Sequence, residues 1–397
     1  MVNRRSLTLG SKKFYIMTLL VLAFALAFHT RIDSVKALST IYIRPDGSVE
    51  PSGSPILRER SIYTLTSDIS CEGDGIVIEC SNVVLDGSGF IVQGIGAYGS
   101  KGIALNGRQN VSIENLKVKL FYYGVYLNES SVTAVFGNTM MHNTYGLRLY
   151  RSFNNTLFRN RIENNSYCIS IGSSNGSSFF ENSILNNQNG IQLGSSYYNK
   201  FYHNNFLNNT PQVYIPGSGY SNFWDDGFPS GGNFWSDYAG NDLNRDGVGD
   251  SLYEIDPVNI DNFPLMGVFT SFNASMNQYV DVISNSTVEE FIYYESNSTI
   301  KFNVFMGTVG QVFGFCRVTL PKTLMRPPYV VRIDGGFTTV LYLNDTLYDN
   351  GTHRWIYFAF EGVPHEVLIV PELSSFHIFV LSIGAVLLMA FVYRKAC

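Results

Sequence analysis

A period of 22 residues constrains this chain more than any other feature. From Gly102 to Ile215 a unit opening on a small or polar residue returns at Gly102, Gly124, Gly146, Cys168, Gly190 and Gln212, with starts that read GIAL, GVYL, GLRL, CISI, GIQL and QVYI. A strict period this short signals a solenoid, in which neighbouring units share one core, and not a self-contained globule. Apolar residues hold the second and fourth places (Val125 and Leu127, Leu147 and Leu149, Ile169 and Ile171, Ile191 and Leu193), which is strand alternation with one face inward. The units carry few helix formers and much Asn, Ser, Tyr and Phe, so a leucine-rich repeat fits poorly. The expected fold is all-β: a right-handed parallel β-helix with 22-residue coils, residues 38–223, in which equal places stack about 4.8 Å apart.

Stacking accounts for the asparagines. Asn138, Asn160, Asn182 and Asn204 share one column, and Asn143, Asn165, Asn187 and Asn209 share another. An amide at a bend can donate to and accept from the amides above and below it, and Asn tolerates left-handed backbone. Core columns run through Val135, Leu157, Phe179, Phe201 and Phe223, and through Met140, Ile162, Ile184, Phe206 and Phe228. One residue after the first of these, alternation predicts an outward aromatic ladder of Phe136, Phe158, Phe180, Tyr202 and Trp224. Such a row is a candidate site for the apolar faces of sugar units in a polysaccharide or surface glycan; the competing reading is that a loop or a later domain covers it.

Paired carboxyl groups for sugar hydrolysis are not evident in the repeats. Between Lys101 and Trp224 there is no aspartate, and Glu114, Glu129, Glu163 and Glu181 fall at four different places in the unit. The reading leans away from an enzyme and toward a calcium-stabilised cell-surface protein that binds extended carbohydrate or acts as an adhesive or structural module, with a polysaccharide lyase or hydrolase as the alternative.

The ends of the chain point to export. Residues 1–37 have a basic start (Arg4, Arg5, Lys12, Lys13) and an apolar run from Phe14 to Phe28, the pattern of a secretory signal. Residues 376–393 form an 18-residue apolar run followed by Arg394 and Lys395, which predicts a C-terminal transmembrane anchor. The body is then expected on the extracellular face. Charged residues make up only 15% and net charge is −5, so a nucleic-acid partner has no electrostatic footprint. Asn-x-Ser/Thr sequons at Asn110, Asn128, Asn154, Asn164, Asn175, Asn208, Asn273, Asn285, Asn297, Asn344 and Asn350 are individually weak signals of glycosylation. Cys71 and Cys80 are near enough in sequence to pair in an oxidising compartment, whereas Cys168 reads as a buried small residue.

Gly and Pro break the period at GFPSGG, with Trp224 and Trp235 on either side. Residues 224–266 read as a cap, the two indoles plugging the open end of the core or, alternatively, forming a sugar platform with the ladder. Within it, Asp242, Asn244, Asp246, Val248 and Asp250 occupy alternate places, with Gly247 after the third, as in the first nine positions of a calcium loop. Position twelve is Tyr253 instead of glutamate, so Asp256, Asn259 or Asp261 would have to complete a Ca2+ shell.

The repeats together with NFWDDGFPSGGNFWSDYAGNDLNRDGVGDSLYEI and the closing DNFPLM resemble exported archaeal and bacterial β-helix proteins of the NosD type, over about Ile41 to Met266. That resemblance implies a surface or periplasmic accessory protein, copper binding as the origin of the family's name, and likeness to carbohydrate-binding and sugar-hydrolysis repeats. Copper favours His, Met or Cys ligands. The coils offer His142 and His203 in different columns, and Met140 in a core column.

Residues 267–370 change pattern. TIKFNVFMG, CRVTLP, YVVRIDG, TTVLYLN, RWIYFAFEG and HEVLIVP alternate between turn residues, which predicts a small antiparallel β-sandwich. Pro371, Glu372 and Leu373 before the apolar run resemble the signal of archaeal sorting enzymes, which implies exchange of the anchor for lipid.

Overall fold

The computed structural model describes residues 39–217, 219–276, 278–338 and 348–372. The predicted signal segment, the transmembrane anchor, Leu373 of the sorting signal, Asn344, Cys397 and most of TTVLYLN lie outside the described residues. Among the described residues no helix is long and apolar enough to cross a membrane.

The repeats wind into a parallel β-helix of about 7 turns. Each coil contributes one strand to each of three sheets. The first sheet takes Lys101–Asn106, Tyr123–Asn128, Tyr145–Tyr150, Tyr167–Gly172 and Asn189–Gly194 in order. The second stacks Val83–Asp86, Val111–Glu114, Ala134–Phe136, Thr156–Phe158, Ser178–Phe180 and Lys200–Tyr202, and the third Lys117–Lys119, Thr139–Met141, Arg161–Glu163, Ser183–Leu185 and Asn205–Leu207. Partners inside the repeats are 22 residues apart, as in Val125 with Leu147 and Leu147 with Ile169. Gly124 opens its coil where a side chain has no room: a Cβ there would lie 2.4 Å from the Gly146 carbonyl oxygen.

Inside, the predicted columns are sealed from solvent from Val135 to Phe201 and from Met140 to Phe206, while their expected last members, Phe223 and Phe228, are exposed. The asparagine ladders form as expected. Asn138 Nδ2 donates to Asn160 Oδ1 (3.1 Å), Asn160 to Asn182 (3.0 Å) and Asn182 to Asn204 (2.9 Å), while the backbone N–H of each also donates to the next amide oxygen. The second ladder links Asn143, Asn165, Asn187 and Asn209 likewise. A third corner escaped the sequence reading. There Asn155, Ser177, Asn199 and Asn222 accept from backbone N–H groups one coil away, beside a serine column of Ser130, Ser152, Ser174 and Ser196.

At the last coil the register departs from expectation by one residue. Asn199 bonds to Asn222, 23 residues on, so the extra residue turns Phe223 out (54% exposed) and Trp224 in (1% exposed). Trp224 stacks on Phe201 at 4.4 Å and Phe201 on Phe179 at 4.7 Å. Trp224 therefore belongs to the core column and not to the outward ladder. In the third sheet Trp235 takes the place expected of Phe228, stacked on Phe206 at 4.1 Å and beneath Tyr253 at 4.3 Å. The ladders end on the cap strand Asn259–Asp261: Asn222 N–H and Trp224 Nε1 donate to Asn259 Oδ1, and Asn233 N–H and Trp235 Nε1 to Asp261 Oδ2. Asn259 and Asp261 thus cap the core instead of completing a metal shell.

Beyond the cap lie two antiparallel sheets. One has Val268–Ser275, Gln278–Ser284, Phe313–Pro321 and His353–Glu361; the other has Thr287–Tyr294, Thr299–Phe305, His365–Pro371, Tyr329–Ile333 and Gly336–Phe337. Val282, Val318, Phe358, Phe302 and Ile369 form a shared core between them. Cys71, Cys80, Cys168 and Cys316 are free thiols, so the suggested Cys71–Cys80 pair does not form.

Candidate functional site

Two outward aromatic surfaces run along the coils. The predicted ladder on the second sheet exists for Phe136, Phe158, Phe180 and Tyr202, with ring centroids 4.8, 5.1 and 5.2 Å apart and planes within 14° of parallel. Each inner ring lies face to face with its neighbours, so its faces are spent inside the stack. The antiparallel module also borders this column. The Arg159 guanidinium lies 3.9 Å over the Tyr279 ring while pairing with Glu181 (2.5 Å), and the His203 ring stacks on Phe269 at 4.3 Å. Burial pushes the Tyr202 hydroxyl up to about 12. Trp224 and Trp235, the remaining members of the predicted platform, are sealed in the core and present no face outward.

The second surface was missed in the sequence. On the outer face of the first sheet, Tyr123, Tyr145 and Tyr167 fall in register, stacked at 5.2 and 4.7 Å. The adjoining column holds Tyr126, Arg148, Ser170 and Gln192, and the next holds Asn128, Tyr150 and Gly172. Tyr98 and Tyr122 extend the patch edge to face at 4.7 Å. The signal was present, since Tyr precedes the opening Gly or Cys of three successive units, but a repeat read from that Gly leaves the tyrosine at the tail of the preceding unit. Arg148 sits at the centre, 5.4 Å from the Tyr145 centroid, 5.8 Å from Tyr123 and 5.9 Å from Tyr150, and its Nη1 donates to Ser170 Oγ (3.0 Å). Ser170 Oγ donates onward to Gln192 Oε1 (3.3 Å). None of these tyrosine hydroxyls has a hydrogen-bond partner among the described residues. Partial burial raises the pKa of Tyr123, Tyr126 and Tyr145, so the hydroxyls keep their protons and remain donors.

A carboxylate pair also emerges. Asp86 pairs in register with Glu114 on the second sheet, directly below Phe136. Their spacing is 28 residues, which hid them from a search at period 22. Burial, followed by the Asp86 charge, raises the Glu114 pKa. Asp86 moves the other way: against its own burial, hydrogen bonds from Ser88 N–H, Asn115 Nδ2 and Ser88 Oγ hold its pKa down.

The calcium-type loop is committed to other partners. Asp242 accepts from the N–H groups of Asp246 and Gly247, and Asp246 from Val248 N–H and the Tyr348 hydroxyl (2.9 Å). Asp250 accepts from Leu243 N–H, and Tyr253 stacks on Trp235. Arg317 of the antiparallel module enters the same space. Its Nη2 donates to the Pro229 carbonyl, while Nε and Nη1 are buried without a hydrogen-bond partner. Burial lowers its pKa to about 10, countered by the charges of Asp246 and Asp242. The Arg317 charge acts on Asp246 and Asp242 without forming an ion pair with either, and among the described residues the loop's carboxylates form no group placed to hold a metal, so calcium is not supported. The Val248 side chain joins Leu265, Phe269, Ile283 and Phe315 in a small core at the junction.

Copper fares no better. Among the described residues no group of three or more His, Cys, Asp and Glu is placed to hold a metal. His203 Nε2 lies 3.1 Å from the Ser230 carbonyl oxygen, Met140 is sealed in the core, and His142 is exposed on another corner.

The comparisons agree with this geometry at the level of family. The family model described as NosD, periplasmic copper-binding protein, matches residues 42–240. The chain belongs to the NosD family. The family's description as periplasmic agrees with an exported chain. No curated protein matches the sequence. Among solved structures, the full-length tailspike protein 2 of Escherichia coli O157:H7 bacteriophage CAB120 is similar at 14% identity with a TM-score of 0.31, over 77% of this chain and 63% of that one. An ORF18 protein of Geobacillus virus E2 is similar at 9% identity with a TM-score of 0.22, over 65% of this chain and 64% of that one. The chain thus spans less than two thirds of both proteins.

Proposed function

We propose that this NosD-family chain is an exported β-helix protein that binds extended carbohydrate along its coils, through the tyrosine face of the first sheet. The observation that carries the reading is a patch of outward tyrosines, repeated coil by coil, whose hydroxyls have no hydrogen-bond partner among the described residues. Aromatic rings with a polar tip suit a ligand that is apolar on one side and hydroxylated on the other. The phenylalanine column lacks that chemistry over most of its length, because its rings are spent on one another. A glycan array probed with the full chain tests the reading. We expect binding to extended glycans and at least a tenfold loss for Tyr126→Ala; unchanged binding by the variant overturns the site.

A second reading rests on Asp86 and Glu114. Two carboxyl groups on adjacent strands, about 4.8 Å apart at the backbone, with pKa values driven in opposite directions, are the kind of pair from which glycoside hydrolysis draws an acid and a second carboxylate. Glu114 would protonate the leaving oxygen and Asp86 would stabilise or attack the anomeric carbon. Release of reducing ends from glycans that bind, abolished by Glu114→Gln, supports hydrolysis; no release by the wild-type chain removes it.

A further inference from the structure

Charge sets Arg148 on the tyrosine face apart from the other arginines of the central coils. Of Arg148, Arg151, Arg159 and Arg161, the last three pair with Glu129, Glu181 and Glu163 at 3.4, 2.5 and 2.6 Å. Arg148 alone of the four has no carboxylate partner among the described residues. The in-register columns around it carry Tyr, Asn, Ser, Gln and Gly, with no Asp or Glu. On a chain whose net charge is −5, this is a flat surface with an uncompensated cation at its centre.

The guanidinium is also held in place. Tyr123, Tyr145 and Tyr150 surround it and Ser170 Oγ fixes Nη1, so part of the rotamer entropy a ligand would otherwise have to remove is already gone. Its remaining N–H groups have no acceptor among the described residues. A planar guanidinium accepts a carboxylate in a paired, directional arrangement that a neutral hydroxyl cannot reproduce.

Resting on the carbohydrate reading above, we propose that the ligand is an acidic polysaccharide and that Arg148 is the receptor for the carboxylate of one of its uronic acid units. The sugar hydroxyls on either side meet the hydroxyls of Tyr126 and Tyr145, and the Ser170 and Gln192 side chains follow the chain toward the next coils. Selectivity for acid over neutral chains comes from this one group, since the neighbouring polar atoms serve both equally.

Binding of the full chain to polygalacturonate and to its fully methyl-esterified form separates charge from sugar, with alginate and a neutral β-glucan as the wider panel. We expect polygalacturonate or alginate to bind at least tenfold more tightly than the uncharged polymers, Arg148→Gln to abolish that preference while residual binding persists, and Arg148→Lys to restore part of it. Equal affinity for charged and esterified chains, or a preference that survives Arg148→Gln, overturns the assignment and leaves the carbohydrate reading standing. Absence of binding to every polymer overturns both.

Discussion

The two aromatic surfaces are built by one rule and end with different chemistry. Both arise because one place in a 22-residue coil recurs in register, so rings at that place must stack about 4.8 Å apart. On the second sheet the rings are mostly phenylalanine. Stacking consumes their faces, only C–H edges remain, and the antiparallel module borders the column through Arg159 and His203. On the first sheet the rings are tyrosine, and the same stacking leaves around Arg148 a row of hydroxyls without a partner among the described residues. Regular stacking alone therefore does not mark a binding site. On the proposed reading, what marks one is polar capacity left over after the coils have satisfied themselves.

The largest effect that could break this division lies at the ladder's far end. If Trp224 and Trp235 are core, Trp224→Ala and Trp235→Ala should each cost about 3–5 kcal/mol of stability and leave Asn259 or Asp261 without a buried donor, measured by denaturant unfolding. If either indole were a ligand platform, its removal would lower glycan affinity with little change in unfolding midpoint.

A smaller effect follows from Asp261, where burial outweighs its hydrogen bonds from Asn233, Trp235 and Phe263 and raises the pKa from an ordinary 3.8 to about 7. Between those values the folded state holds the proton that the unfolded chain has released, so stability is greatest near pH 4 and falls as pH rises to about 7. Asp261→Asn should flatten that slope in thermal melts across the same range; an identical slope would place the titration elsewhere.

The smallest effect expected is none. Arg317 already supplies positive charge to Asp242 and Asp246, so a chelator should leave the melting temperature unmoved. A clear fall on chelation would restore calcium to the junction.

Much of this was legible from period alone, and the failures share one cause. Within residues 102–215 the columns, the asparagine ladders and the outward place of Phe136, Phe158, Phe180 and Tyr202 follow from counting 22. Counting fails wherever a loop changes the interval. Asp86 and Glu114 are 28 apart, Asn199 and Asn222 are 23 apart, and Asn204 reaches Asn233 at 29, so the carboxylate pair went unseen and Trp224 was placed on the wrong face. The acidic loop misled for another reason. Its spacing matches a cation site, but its carboxylates accept from backbone N–H groups and from the Tyr348 hydroxyl, a partner about a hundred residues away that no local pattern reveals.

The contrast between the two faces is tested most directly by measuring affinity and stability together for Tyr145→Ala and Phe158→Ala, against whichever polymer the wild-type chain binds best. The account predicts opposite signatures. Tyr145→Ala should lose at least tenfold in affinity, whereas Phe158→Ala, which removes two stacked contacts, should lose about 1–3 kcal/mol of stability and keep the wild-type affinity. Loss of affinity in Phe158→Ala with none in Tyr145→Ala would contradict it and return the binding site to the phenylalanine column.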